Sequence, residues 1–260
     1  MLQVREKNWI SPASVVAVLV AWFLLTSATQ IIPATRFPSP EKVYAAAVQL
    51  TSSQGYAGAS LWSHLSQSVK LVTLGFIVAL VTGIPIGLLM GWNEWCDAVI
   101  SPIFSIVRPI PPLAWIPLSI VWFGLGDTAK IFVIWLSAFV PAVINSFAGM
   151  REVDRAYVEA ARVHGASTWR VLWSVMIPAA APMILTGARV SLQVCWNALV
   201  AAELVGSVAG LGHVLNVASL DLYPGMILFA MLLVGLVGGA MTYLLSIFEA
   251  RVLRWTTRQS

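Results

Sequence analysis

Six long apolar stretches, separated by short polar ones, constrain the fold of this chain more than any other feature. As an α-helix, each is long enough to cross the ~30 Å hydrocarbon core of a bilayer. With 59% hydrophobic and 10% charged residues, the chain has more apolar surface than a soluble domain of this size buries. We therefore predict an all-α polytopic membrane protein in which residues 1–260 form a single transmembrane domain. The six predicted spans are 11–32, 65–91, 98–123, 129–150, 178–205 and 225–250.

The basic residues predict the orientation of these spans. Cytoplasmic loops carry an excess of lysine and arginine. Six spans place both termini on one side of the membrane, and we predict that this side is the cytoplasm. It then holds Arg5, Lys7, Arg151, Arg155, Arg162, Arg170, Arg251, Arg254 and Arg258. The outside holds only Arg36, Lys42, Lys70 and Lys130.

Residues 151–177 form a polar, basic loop between the fourth and fifth spans. Asp154 can cap the N-terminus of a first amphipathic helix. Gly165 can end that helix in the left-handed conformation that glycine adopts at low cost. Ser167 is placed to cap a second helix, whose apolar residues recur at helical spacing. We therefore predict two short helices that meet at a glycine.

The order of residues in this loop resembles a known pattern. The chain has Glu-Ala-Ala at 159–161, glycine at 165 and Val-Met-Ile-Pro at 175–178. This resembles the EAA loop of bacterial binding-protein-dependent ABC-importer permeases, in which Glu-Ala-Ala, x3, Gly, x9 precede Ile-x-Leu-Pro. The chain departs from that pattern only in having valine and isoleucine at the two aliphatic positions. Further stretches resemble the nitrate/sulfonate/taurine branch of these permeases, namely 37–40, 61–64, 108–118, 121–130 and 199–204.

The resemblance implies a type I ABC-importer permease fold with several partners. These are a second permease copy, which we expect to be identical, two cytoplasmic ATPase subunits and an extracytoplasmic substrate-binding protein. It also implies a bacterial cytoplasmic (inner) membrane location, contact with lipid, and no enzyme activity. We expect no cofactor on this chain, because ATP and Mg²⁺ would bind to the ATPase subunits. The expected cargo is a small anion, with taurine or another alkanesulfonate first and nitrate second.

Some residues of the loop are implied to couple the permease to the ATPase. They are Glu159, Ala160, Ala161, Gly165 and Pro178. In this picture the helix over residues 154–164 docks in a cleft of the ATPase. Glu159 orients or pairs with charge at that interface, the two alanines allow close approach, and Gly165 supplies the turn.

Span five carries a set of polar residues on one face. They are Arg189, Gln193, Trp196, Asn197 and Glu203. At ~100° per residue they fall within an arc about 120° wide, the width of one helix face. Charged residues at membrane depth avoid lipid, so this face is expected to lie against the bundle interior or a water-filled path. We predict that it lines the translocation path, although partners inside the bundle remain an alternative for Arg189 and Glu203.

A proline run interrupts span three and adds a further candidate residue. Three prolines within residues 109–112 remove backbone donors and break a helix. Broken backbone at membrane depth is tolerated only against protein or a water-filled cavity. Arg108, immediately before the run, is therefore a second candidate for the translocation path.

Small residues at every fourth position of span two predict close helix packing. They are Gly75, Ala79, Gly83, Gly87 and Gly91. A small residue on one helix lets the backbone of a neighbouring helix approach. Gly235 and Gly239 in span six offer a second such pair.

Several functional patterns are absent from the sequence. There is no G-x-x-x-x-G-K-[ST] phosphate loop, no metal-ligand spacing of histidine or cysteine, and no G-x-S-x-G elbow. No lysine or arginine cluster alternates with aromatic residues, so no nucleic-acid partner is expected. The remaining alternatives are the same importer class with another cargo (an aromatic acid, bicarbonate or a vitamin precursor), a channel or secondary transporter, and a membrane enzyme.

Overall fold

The computed structural model describes residues 10–29, 33 and 37–253, with side chains from residue 13 onward. These residues are mostly helical and contain no strand, which confirms the predicted all-α class. Part of the predicted first span, residues 30–32, lies outside the described residues. So do five of the basic residues used for orientation, namely Arg5, Lys7, Arg36, Arg254 and Arg258.

The described part of the chain contains eleven α-helices and three short helical turns of other types. The α-helices are α1 (Ile10–Phe23), α2 (Pro40–Thr51), α3 (Leu61–Trp92), α4 (Glu94–Val107), α5 (Ile116–Phe123), α6 (Asp127–Arg151), α7 (Arg155–Val163), α8 (Thr168–Val171), α9 (Ile177–Gly206), α10 (Leu211–Leu220) and α11 (Pro224–Val252). A π-helical turn, Leu24–Ala28, follows α1, and a 3₁₀ turn, Pro112–Trp115, precedes α5. A second π-helical turn, Leu172–Met176, joins α8 to α9.

Four of the described helices are long and apolar enough to cross a membrane. They are Leu61–Trp92, Asp127–Arg151, Thr168–Gly206 and Pro224–Val252. A fifth span is present if Glu94–Val107 and Pro112–Phe123, which are bent by 83°, are counted as one. This bend lies at the proline run, because successive prolines remove the backbone donors that a helix requires. The helix Ala13–Ala28 is shorter, so the total of six spans stays a prediction.

Helix α6 lies between α3 and α9, and the three build the main core. Leu71, Ile134 and Leu199 contribute one fully buried side chain from each helix. A second apolar cluster joins α2, α10 and α11 around Leu50 and Met226. Helix α4 has no buried residue and α11 is scarcely buried, so both leave apolar surface for lipid or another subunit.

The small-residue ridge of α3 packs against α6, as the sequence predicts. A Cβ atom added to Gly75 would lie 2.5 Å from Ile134 Cγ2, and one added to Gly83 would lie 2.9 Å from Ala142 Cβ. At Gly87 the added atom would lie 2.7 Å from Ser146 Cβ and closer still to the Val143 carbonyl oxygen. The two backbones therefore approach too closely for a side chain. Gly235 and Gly239, by contrast, meet nothing within 4 Å in the described protomer.

Gly87→Ala is expected to destabilise the bundle, because the added methyl group meets α6 backbone that cannot rotate away. Overpacking of this kind typically costs about 1–3 kcal/mol. The measurement is the thermal unfolding midpoint of the purified protein. Gly126→Ala is the matched control, since a Cβ atom there meets no atom of the described residues within 4 Å. Equal unfolding midpoints for the two variants would contradict the close packing of α3 on α6.

Candidate functional site

Helix α7 begins and ends at the residues that the sequence predicts. The Asp154 carboxylate caps its N-terminus by accepting a hydrogen bond of 2.9 Å from the Ala156 amide. At the C-terminus the Gly165 amide donates to the Arg162 carbonyl over 2.9 Å, and the Ala166 amide donates to the Ala161 carbonyl over 3.0 Å. This pair of bonds is a Schellman motif, and it requires the positive φ of 77° found at Gly165. The turn is therefore fixed in one geometry.

The second predicted helix of the loop is continuous with span five. Residues Thr168–Gly206 form a single helical run of 39 residues through α8, the π-helical turn and α9. Pro178 lies in the first turn of α9, immediately after the π-helical turn, where its missing N–H is accommodated. Ser167 has the extended backbone of an N-cap, but its side chain makes no capping hydrogen bond, so that part of the prediction is wrong.

Helix α7 presents most of its surface to the outside of the protomer. Glu159 and Ala160 are exposed, whereas Ala161 is half-buried. The apolar side chains of Tyr157 and Val163 are 62% and 85% exposed. Helix α7 therefore leaves both polar and apolar side chains accessible on the outside of the protomer.

A cleft of about 530 Å³ lies between α7 and the adjoining ends of α4 and α6. Its charged lining consists of Glu94, Arg151, Arg155, Glu159 and Arg162. Arg151 pairs with Asp97 over 2.8 Å. Among the described residues, Glu159, Arg155 and Arg162 form no ion pair within the protomer. Their charges are therefore available to a partner.

The polar stripe of α9 divides into two groups in the structure. Gln193 and Asn197 are exposed on the outer face of the helix. Arg189 lies one turn before Gln193, is partly exposed, and pairs with Glu249 of α11. Trp196 and Glu203 are instead 5% and 0% exposed, inside the protomer. The five polar residues share one arc of the helical wheel, but this arc includes part of the exposed face of α9 and part of the face that packs against the bundle.

Glu203 holds the start of α10. Its carboxylate accepts hydrogen bonds from the Ser68 hydroxyl at 2.9 Å and from the Gly212 amide at 2.7 Å. Ser68 in turn accepts a hydrogen bond of 2.8 Å from the Leu211 amide. A carboxylate at a helix N-terminus is favoured by the free amides and by the helix dipole. Glu203 therefore joins α9, α3 and α10 at one buried point.

Histidine residues extend this network in a way that sequence reasoning missed. His64 accepts a hydrogen bond of 3.0 Å from the Gly210 amide through Nδ1, and its Nε2 lies 3.0 Å from the Tyr56 carbonyl. His213 lies beside His64, with ring centroids 6.3 Å apart. Burial lowers the pKa of His213, and the neighbouring His64 acts in the same direction. In the sequence, the only indication of this network was that His64 and Ser68 are spaced to lie on one face of α3.

Arg108 is the last candidate path residue, and it ends α4 at the 83° bend. Arg108 is exposed, and it forms no ion pair with any described residue. Across the described residues, no group of three or more histidine, cysteine, aspartate or glutamate side chains is arranged to hold a metal ion.

Comparison with known proteins identifies the class. The family described as "binding-protein-dependent transport system inner membrane component" matches residues 83–258. The taurine transport system permease protein TauC of Escherichia coli is 34% identical over 262 residues, covering 98% of this chain and 95% of TauC. The bicarbonate transport system permease protein CmpB of Synechococcus elongatus is 33% identical over 253 residues, covering 95% and 88%.

The fold has a solved counterpart. An inward-facing structure of the MetNI methionine ABC transporter matches with a TM-score of 0.63 and 21% identity, covering 75% of this chain and 96% of that chain. The family match over residues 83–258 includes the EAA loop, helices α6 and α9, and the last span. The chain therefore belongs to the binding-protein-dependent transport system inner membrane components, the permease subunits of ABC importers.

Proposed function

We propose that this permease, paired with a second copy, forms the translocation path for a small sulfonate such as taurine. An extracytoplasmic binding protein delivers the cargo, and two cytoplasmic ATPase subunits supply the energy. The observation that carries the proposal is the exposed helix α7, joined through the fixed turn at Gly165 to the 39-residue run Thr168–Gly206.

Helix α7 is suited to dock in a cleft of an ATPase subunit. Ala160 and Ala161 are small enough to allow close approach, and Tyr157 and Val163 offer apolar surface around them. Glu159 has no ion-pair partner among the described residues, and a basic group of the ATPase can pair with it. Helix α7 packs mainly on α8 and the π-helical turn. A displacement of α7 by the ATPase would therefore move the start of span five.

The movement then reaches the bundle through close packing of α9 on α6. A Cβ atom at Gly187 would lie 2.6 Å from Asn145 Cβ, and one at Gly149 would lie 2.8 Å from Met183 Cβ. Interfaces this tight move as a unit, since packed surfaces do not deform continuously. In our proposal, closure of the ATPases brings the two EAA loops together and rocks the spans from inward-facing to outward-facing.

Gln193, Asn197 and Arg189 line the proposed path. Exposed polar side chains in a spanning helix avoid lipid, so this face of α9 is suited to a water-filled space between two permease copies. Arg108 at the bend is a further lining residue. Trp196 and Glu203, being buried, would support the wall of the path from behind.

The remaining assignments follow from this arrangement. In the proposal both termini are cytoplasmic, the membrane is a bacterial inner membrane, and lipid covers the outer apolar faces. No cofactor binds this chain, and ATP with Mg²⁺ binds to the partner subunits.

Glu159→Lys is expected to lower ATP-driven uptake about tenfold, because a reversed charge at the interface costs on the order of 1.4 kcal/mol or more of docking free energy. The unfolding midpoint should not change, since Glu159 is exposed. Glu152→Lys is the matched control, because Glu152 is also exposed but lies outside the EAA motif. Uptake by Glu159→Lys at the Glu152→Lys level would refute the role given to Glu159.

The cargo is tested by uptake of radiolabelled taurine into proteoliposomes that contain the whole complex, with binding protein outside and ATP inside. Unlabelled ethanesulfonate, bicarbonate and nitrate serve as competitors. We expect ATP-dependent taurine uptake that ethanesulfonate inhibits. The 33% identity to a bicarbonate permease makes bicarbonate the second candidate cargo, and ATP-dependent uptake of labelled bicarbonate but not taurine would favour it.

A further inference from the structure

One ion pair in the described residues joins two spanning helices, α9 and α11, close to the C-terminal end of α11. Arg189 of α9 pairs with Glu249 of α11. The other ion pairs in the described part of the chain are Lys70–Asp127, Lys130–Asp127 and Arg151–Asp97, and none of them involves α9. Arg189 lies well inside α9, whereas Glu249 lies in the last turn of α11. A charged side chain at membrane depth faces the bundle interior or a water-filled space, because exposure to lipid is costly. The position of Arg189 therefore needs a reason.

The pair leaves part of the arginine unsatisfied. A guanidinium group has five N–H donors. The Nε atom of Arg189 is buried and has no hydrogen-bond partner among the described residues. The Arg189 side chain is nevertheless 42% exposed, whereas Glu249 is 17% exposed. The arginine thus keeps both accessible surface and a spare donor beside its carboxylate partner.

Two amide side chains continue from Arg189 along the exposed face of α9. Gln193 lies one turn toward the outside, and Asn197 lies one turn beyond it; both are exposed. Amide groups donate to oxyanions without holding them as tightly as a second cation would. The face therefore presents donors in a row, with a single cation at its cytoplasmic end.

From this arrangement we propose that Glu249 is an internal substitute for the anionic group of the cargo. The inference rests on the proposed function and names a specificity-determining pair within it. In the empty permease, the Glu249 carboxylate neutralises Arg189. A passing sulfonate or other oxyanion displaces that carboxylate, accepts hydrogen bonds from the Arg189 guanidinium and from the Gln193 amide, and is released when Glu249 returns.

The competition has a physical purpose. Transport requires binding that is favourable enough for entry and weak enough for exit. An isolated arginine in the path would retain an oxyanion, because charge-assisted hydrogen bonds are stronger than those between neutral groups. A carboxylate on a neighbouring helix replaces the departing anion, so the arginine is not left unpaired.

The test uses the complete complex in proteoliposomes, with labelled taurine and labelled bicarbonate as separate probes. Glu249→Gln is expected to retain the transported probe about tenfold more tightly in the binding-protein-free complex and to lower its turnover. Arg189→Gln is expected to lower uptake about tenfold, the loss associated with one charge-assisted hydrogen bond. Lys70→Gln, which removes the cation of an exposed pair at the other end of the bundle, is the matched control and should transport at the wild-type rate.

The charge-swapped variant Arg189→Glu/Glu249→Arg separates transport from folding. The variant keeps an ion pair between α9 and α11. Its cation, however, is on α11 and no longer on the face of α9 that carries Gln193 and Asn197. We expect its unfolding midpoint to match the wild type while uptake stays low. Recovery of wild-type uptake by the swap, or unchanged retention in Glu249→Gln, would overturn the inference. Failure of the wild-type complex to transport either probe would instead reject the proposed cargo class, and the inference with it.

Discussion

Gly165→Pro is expected to abolish ATP-driven uptake while the membrane bundle stays folded. Proline fixes φ near −65°, whereas Gly165 has a φ of 77°. The substitution also removes the amide that donates to the Arg162 carbonyl over 2.9 Å. The conformational mismatch and the lost hydrogen bond both disrupt the turn between α7 and the helical run that enters the membrane. Without that turn the docked helix is no longer held in a fixed direction relative to span five.

The expected result is a complex that hydrolyses ATP but does not import cargo. The measurement is the ratio of cargo imported to ATP hydrolysed, with the unfolding midpoint measured on the same preparation. Gly165→Asn is the matched control, since asparagine tolerates the left-handed conformation better than other non-glycine residues and keeps the amide. It should retain most of the wild-type ratio. A wild-type ratio for Gly165→Pro would mean that the turn does not transmit force.

Glu203→Ala is expected to destabilise the protein by about 3 kcal/mol or more, because it leaves a cavity and two buried donors without an acceptor. The donors are the Ser68 hydroxyl and the Gly212 amide. Glu203 is 0% exposed, so the freed donors lie away from bulk water. The consequence should be loosening of α10 and of its contact with α3.

The measurement combines the unfolding midpoint with amide hydrogen exchange of residues 206–224. We expect faster exchange in that segment for Glu203→Ala than for the wild type. Glu203→Gln is the control, because the amide oxygen can still accept from Ser68 and Gly212. If alanine and glutamine at this position gave the same midpoint and the same exchange, Glu203 would not be holding α10.

The sequence predicts those features that depend on local chemistry. The Asp154 cap and the Gly165 turn follow from residues next to each other in the chain, and the structure has both. The small-residue ridge was predictable as well, since glycine at every fourth position has few uses in a spanning helix other than close packing. Which helix would fill the ridge depended on tertiary structure.

The polar stripe of α9 shows where such reasoning fails. A helical wheel places Asn197 and Glu203 on one broad face, but it does not show where the neighbouring helix stops covering that face. Helices α3 and α10 cover Glu203 and leave Asn197 exposed. The network around His64 and Gly210 was hidden for a related reason, because its partners are 146 positions apart.

The loop was only partly predictable for a third reason. Residues 151–177 were predicted as a loop distinct from a span that begins at 178, yet the helix runs from Thr168 to Gly206 through a π-helical turn. The result strengthens the functional argument, because an uninterrupted helix transmits movement better than two joined segments would.

The most direct test of the account is site-specific photo-cross-linking in membranes that contain the assembled importer. A photoreactive amino acid at Val163, which is 85% exposed on the EAA loop, should form a covalent adduct with the ATPase subunit. The same probe at Val208, which is 89% exposed between α9 and α10, should form none. An ATPase adduct from Val163 alone is the predicted result. Adducts with lipid only at Val163, or an ATPase adduct from Val208, would contradict the proposal that α7 receives the force of ATP hydrolysis.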